Sequence, residues 1–135
     1  MSRSRLTLSV DEDHKLFVVR YIGEIGGEDI NDSMLTQLSR LDKPWEYHSI
    51  IDMRRHDATV LASEIEELAK RWNEMARGRD HGARIAVISE DPLVHARQNL
   101  TQAMFPGRIM GYFYTFDEGL EWIKEVVSQN GKAVA

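Results

Sequence analysis

Apolar positions recur along the chain in two alternating rhythms, every second residue and every third or fourth. Leu6, Leu8 and Val10 alternate with Thr7 and Ser9, the pattern of a half-buried strand. Residues 11–15 are a polar turn. Residues 16–22, rich in β-branched and aromatic side chains, make a second strand, and two strands joined by so short a turn pair as an antiparallel hairpin. Gly26 and Gly27 break that strand. Ile30, Met34, Leu38 and Leu41 follow at helical spacings, and Pro44 ends their helix because proline disfavours helix in the residue before it. Residues 49–53 are a short apolar run and read as a buried strand.

Ser63 and Glu66 have the spacing of a capping box, in which each side chain satisfies an orphan backbone donor, so the next helix is expected to open at Ser63. Ile65, Leu68, Ala69, Trp72, Met75 and Ala76 form its stripe, and Gly78 stops it. Residues 84–89 are another buried strand. Asp91 before Pro92 is an N-cap with proline at the first helical position, after which Val94, Ala96, Leu100, Ala103 and Met104 are expected to face inward. Residues 109–114 make the fifth strand. Thr115 and Glu118 form a second capping box, and Phe116, Leu120, Ile123 and Val127 make the last helical stripe; residues 130–135 are expected to fray.

The order is therefore β-β-α-β-α-β-α-β-α. Strands separated by single helices need crossover connections, which forces parallel pairing and right-handed crossovers. The fold class is α/β, with a mixed, mostly parallel five-stranded sheet. The first strand is antiparallel at one edge, and the fifth lies at the far edge. No repeat, low-complexity stretch or linker interrupts the chain, so a single domain is expected over residues 1–135, with an ordered core at about 5–128.

The hairpin start, the strand around Ser49, Ile50, Ile51, Asp52, Met53 and Arg54, the strand Arg84, Ile85, Ala86, Val87 and Ile88, and the ending from Phe116 to Ile123 resemble the SpoIIAA-like proteins. These belong to the STAS/SEC14-like group and are related to bacterial anti-sigma-factor antagonists. The resemblance covers residues 6–127. It implies a bacterial, cytoplasmic interaction domain without cofactor or metal. Such antagonists carry an Asp-Ser-Ser-Gly turn whose serine a partner kinase phosphorylates. The matching stretch here, residues 55–63, runs Arg55, His56, Asp57, Ala58, Thr59, Val60, Leu61, Ala62 and Ser63, with no Ser-Ser-Gly. Thr59 is the one replacement acceptor, Ser63 being taken as a cap, so the phosphoswitch is not carried over.

Composition narrows the function classes. The net charge is −5, which disfavours nucleic acid and anionic membranes, since phosphate binding is driven by basic surface. No cysteine is present, so disulfides, thiolate metal sites and cysteine nucleophiles are excluded. No apolar run approaches the roughly 20 residues that cross a bilayer, and no apolar segment follows the first five residues as in a signal peptide. No His-Glu-x-x-His, Gly-x-Ser-x-Gly or Walker loop occurs.

Ligands of open α/β sheets gather outside the carboxyl ends of the parallel strands. That edge is expected to carry Arg54, Arg55, His56 and Asp57 after the third strand and Glu90 after the fourth, beside three helix N-termini that favour an anion. These five residues are the candidate site for a ligand or partner. The alternative is a solvated loop in which the arginines pair with Glu90 and Asp91. Asp52 is expected to bond backbone donors near its strand end. In the fifth strand, alternation puts Ile109, Gly111 and Phe113 on one face and Met110, Tyr112 and Tyr114 on the other. The surplus of bulky groups is core, a dimer surface or a pocket for an apolar ligand, with core preferred.

Three functions follow, in this order. The first is a non-enzymatic interaction domain acting through a protein partner or as a homodimer, its contact near the fifth strand with Tyr112 and Tyr114. The second is a carrier or sensor of a small apolar or anionic ligand at the strand-end edge. The third is an enzyme using His56 with Asp52 or Asp57.

Overall fold

A computed structural model describes the backbone of residues 4–134 and the side chains of residues 4–126. Strands β1 (Arg5–Asp11) and β2 (Leu16–Gly23) form the antiparallel hairpin; β3 (His48–His56), β4 (Arg84–Ile88) and β5 (Ile109–Phe113) add to it in parallel. The spatial order is β1-β2-β3-β4-β5, with the first and fifth strands at the two edges as expected. The helices are α1 (Gly27–Leu38), α2 (Ala62–Ala76), α3 (Pro92–Ala96), α4 (Gln98–Met104) and α5 (Phe116–Val134), with a short 3-10 turn at Pro44–Glu46. The expected fraying of residues 130–135 falls where no side chain is described.

Strand order dictates which face each helix covers. The chain steps from β2 to β5 in one direction, so right-handed crossovers place every connecting helix on the same face. There, Ile30, Met34 and Leu38 of α1 and Ala69, Trp72 and Ala76 of α2 share one core with Phe17, Val19 and Tyr21. Only α5, which follows the last strand, is free to cross under, and its Ile123 packs with Ile50, Ala86 and Ile88 on the opposite face.

The structure corrects the sequence reading in three places. Helix α2 is capped at Leu61, not Ser63: the Glu64 carboxylate accepts the Leu61 N–H at 2.8 Å, and Ser63 sits exposed inside the first turn. Glu64 is fixed there because it fits against Gly27, where any side chain would collide with its carboxylate, and because its carbonyl accepts the Asn31 amide at 2.9 Å.

The third connecting helix is broken at Arg97 into α3 and α4. Ala96, Leu100 and Ala103, expected inside, are exposed; Val94, His95, Arg97, Thr101, Gln102 and Met104 are the partly covered positions. Val94, Arg97, Thr101 and Met104 recur at the helical spacings three, four and three, but most of the covered positions are polar, so a search for apolar periodicity selects the wrong stripe.

Finally, β3 runs on past Met53 to His56 with an extra residue. Arg20 lies opposite Asp52 while Ile22 lies opposite Arg55, so three steps on β3 match two on β2. Such a bulge reverses which face the following residues occupy.

Candidate functional site

The bulge separates the predicted site residues. Before it, Asp52 lies on the α5 face. It is 3% exposed and receives the Arg54 guanidinium at 2.9 and 2.8 Å, the Arg54 backbone N–H at 3.1 Å, and Arg20 at 3.6 Å. Both guanidiniums also lie over the Phe116 ring. Burial is the largest influence and pushes the Asp52 carboxyl upward, but the Arg54 bonds and the nearby Arg20 charge outweigh it and hold the group below its ordinary value. Asp52 thus bonds a backbone donor, as expected, and Arg54 pairs with Asp52 rather than with Glu90 or Asp91.

After the bulge, His56 lies on the other face. Its ring stands edge-on to Tyr21, with centroids 5.5 Å apart, and Nε2 donates to the Ile25 carbonyl at 2.8 Å. A carbonyl only accepts, so Nε2 carries the proton. The His56–Asp52 pair that a catalytic reading needs is therefore not made. Arg55 and Glu90 are exposed; Asp57 is exposed too and donates its N–H to the Gly23 carbonyl at 2.7 Å. Three of the four helix starts at this edge already hold side-chain acceptors: Glu64 at α2, Asp91 on the Leu93 N–H at α3, and the full Thr115–Glu118 box at α5; α1 is capped at Gly26, which has none. An anion arriving beside those three competes with them.

What the His56 face does hold is a cavity of about 160 Å³ between the sheet and the helices α1, α2, α3 and α4. Ile51, Met53 and Val87 of the central strands form its roof, Met110 and Tyr112 its β5 side, and Met34, Leu35 and Leu68 its helical side. His56, Thr59, Asp91 and Arg97 lie toward the strand ends. Arg97 ties α3 and α4 across to residues 57–61 by donating to the Val60 carbonyl at 2.7 Å. Of the bulky groups of β5, Met110 and Phe113 pack against the two cores, as preferred above, and Met110 and Tyr112 also line this cavity.

At the opposite end lie Trp72, Phe105 and Arg108. Arg108 is 3% exposed. Its Nη1 donates to the Tyr47 carbonyl at 3.1 Å, its guanidinium lies over the Trp72 ring at 4.5 Å, and Nε comes within 3.5 Å of Asp80. Burial draws this guanidinium down to about 10, with Asp80 opposing, so it stays charged at neutral pH. In the sequence Arg108 merely flanks a strand. The distant Asp80 that pairs with it leaves no local signal.

His95 was also missed. It joins the same edge: Nε2 donates to the Ser89 carbonyl at 2.7 Å, and the ring stacks on Tyr114 at 4.0 Å and meets Tyr112 edge-on. Tyr112, expected at a dimer contact, is half-buried against the cavity. The outer edge of β5 is partly occupied as well. The Gln102 side chain accepts the Met110 N–H and donates to the Arg108 carbonyl, both at 2.8 Å, so α4 blunts that edge.

No family model matches the chain, and no curated protein matches it. Among solved structures, it is similar to an uncharacterized protein of the DUF3478 family from Shewanella loihica PV-4, described as having a SpoIIAA-like fold. The two are 18% identical, the match covers 91% of this chain and 95% of that one, and the TM-score is 0.54. The chain has a SpoIIAA-like fold. At that identity the likeness establishes architecture and carries no activity. Among the described residues of this SpoIIAA-like chain, no helix is long and apolar enough to cross a membrane.

Proposed function

We propose that this protein binds a small, largely apolar molecule between its sheet and the helices α1 to α4, as a carrier or sensor. The observation that supports this is the cavity. Folded interiors pack as densely as organic crystals, and voids larger than a water molecule are few. A cavity of about 160 Å³ is comparable to an engineered one of about 150 Å³ that stays dry and takes benzene. Natural ligand sites have the same make-up, apolar walls with a few placed polar groups. Here those groups include His56, Thr101 and Arg108. The ligand lies deeper than the strand-end loop that the sequence suggests.

The test is a titration of the purified protein with benzene and 1-hexanol, read by thermal unfolding and by side-chain methyl resonances. A ligand at 100 times its Kd stabilises the folded state by about 2.7 kcal/mol. A rise in Tm together with shifts confined to Ile51, Val87, Leu35 and Met110 is expected. An unchanged Tm with no shifts up to millimolar ligand overturns the reading.

Self-association is a second reading, supported by Ile109, 48% exposed at the far edge strand, and by Tyr114, 57% exposed just beyond it. Unpaired strand edges invite pairing with another chain. Light scattering of wild type and Ile109→Lys tests it: a homodimer lost in the variant supports the reading, and a monomeric wild type removes it.

A further inference from the structure

We propose that the cavity's ligand is a small apolar carboxylic acid, and that Arg108 binds its carboxylate at the inner end. This rests on the ligand-binding reading above and names the chemistry of that same site. A guanidinium has five N–H donors in a planar fork. Arg108 is buried, forms part of the cavity wall and has one hydrogen bond in range, from Nη1 to the Tyr47 carbonyl. Its Nε has no hydrogen-bond partner. Buried donors are nearly always satisfied, so an orphan on a cavity wall marks where an acceptor is missing.

Asp80 does not fill that role. Its Oδ2 accepts the Trp72 indole N–H at 2.7 Å and stands 3.5 Å from Arg108 Nε, beyond good hydrogen-bond geometry. It is also not among the residues that line the cavity. A carboxylate matches what is open, because it is planar, accepts two parallel N–H bonds and is favoured by positive potential. The cavity volume limits the remainder of the molecule to roughly the size of benzene.

Hexanoate and 1-hexanol, equal in carbon number, separate the two ideas. Titration calorimetry of wild type at pH 7 is expected to show hexanoate bound at least about tenfold more tightly. In nitrogen-labelled wild type, the Arg108 Nε–H resonance is expected to move with hexanoate and stay with hexanol. Arg108→Met alone leaves Asp80 buried without its partner charge, so the variant to use is Arg108→Met with Asp80→Asn, which keeps an amide oxygen for Trp72. It is expected to bind both probes within about twofold of each other, at the hexanol level of wild type. Equal binding of both probes by wild type, or an Arg108 resonance that ignores hexanoate, overturns the anchor and leaves the cavity reading standing. A hexanoate preference that persists in the double variant overturns the anchor as well. Binding of neither probe overturns the cavity reading and this inference together.

Discussion

The two faces of the sheet are built from similar residues and solved differently. Under α5, small residues let the helix come close. A side chain at Gly119 would collide with Ile88 and crowd Ala86, and one at Gly111 would meet Phe113 and Trp122. Ile50, Ile88 and Ile123 are each at most 1% exposed there. On the other face, α1 to α4 stand over larger side chains and enclose about 160 Å³. The same strands supply both faces, so the void is not a failure of strand chemistry to pack. It comes from the covering elements. Helices α3 and α4 bury no residue, and Arg97 and Thr101 stand where an apolar helix would place core. A face that could have been filled and was not is the better place to look for a ligand.

Adjacent residues of β3 give the sharpest break between the faces. Ile50 points at α5 and is fully buried, whereas Ile51 points at the cavity and is partly exposed. Ile50→Ala is expected to cost about 4 kcal/mol, since its pocket cannot collapse under a close-packed helix. Ile51→Ala is expected to cost about 2 kcal/mol, because part of its environment is already empty. Urea unfolding of both variants measures the gap, and equal costs would mean that the two faces are packed alike.

A smaller effect follows from Gly119. Alanine is worth about 1 kcal/mol over glycine inside a helix, but its methyl would enter space held by Ile88 and Ala86. Overpacking costs typically about 1–3 kcal/mol, so Gly119→Ala is expected to lose about 1 kcal/mol net. A stabilised variant would show that α5 can lift from the sheet.

Asp52 offers a pH-dependent handle on the α5 side alone. Its carboxyl lies below the ordinary 3.8 in the folded protein. The fold therefore prefers the ionised form: that contribution is complete above the unfolded value and is lost as pH falls through the folded one. The effect is modest because Arg54 and Arg20 are each 38% exposed and partly screened by water. Asp52→Asn should flatten the fall in urea midpoint between pH 5 and pH 2 (about the carboxylate range) while leaving hexanol binding unchanged. An unaltered pH profile would place the acid-sensitive groups elsewhere.

Most of the architecture is legible in the sequence because it is written in local rhythms. The alternation of periods two and 3.6 yields five strands in the right order, and Asp91 before Pro92 and the Thr115–Glu118 box mark two helix starts correctly. The candidate site is legible at its mouth, through His56, and on its β5 side, where the bulky surplus at Met110 and Tyr112 offers a pocket as one reading. The extra residue in β3 has no signature in composition, yet it decides that His56 and Asp52 lie on opposite faces. Leu61 lacks a capping side chain, so only Glu64 betrays the start of α2. Arg97, Thr101 and Arg108 read as surface because polar residues usually are surface. The burial of Arg108 and the partial covering of Arg97 and Thr101 follow from long-range packing that no window of sequence contains.

The smallest expected effect runs in the opposite direction and ties stability to the cavity. Val87 is the β4 residue on its roof, 6% exposed, between Ala86 and Ile88, which face or border α5. Val87→Ile keeps the β-branched shape that a central strand favours and adds one methylene. In a fully packed core that addition strains its neighbours. Here it enters open space, so burying the extra group is expected to stabilise the protein by about 0.5–1 kcal/mol. The same methylene occupies volume that a ligand needs, and hexanol affinity is expected to fall severalfold. An enlargement on the close-packed side, Ala86→Val, should destabilise and leave binding alone. Thermal unfolding of the two variants therefore gives opposite signs, and hexanol titration changes for Val87→Ile only. A Val87→Ile protein that is less stable than wild type would show that the roof is already filled, and with it the difference between the two faces would disappear.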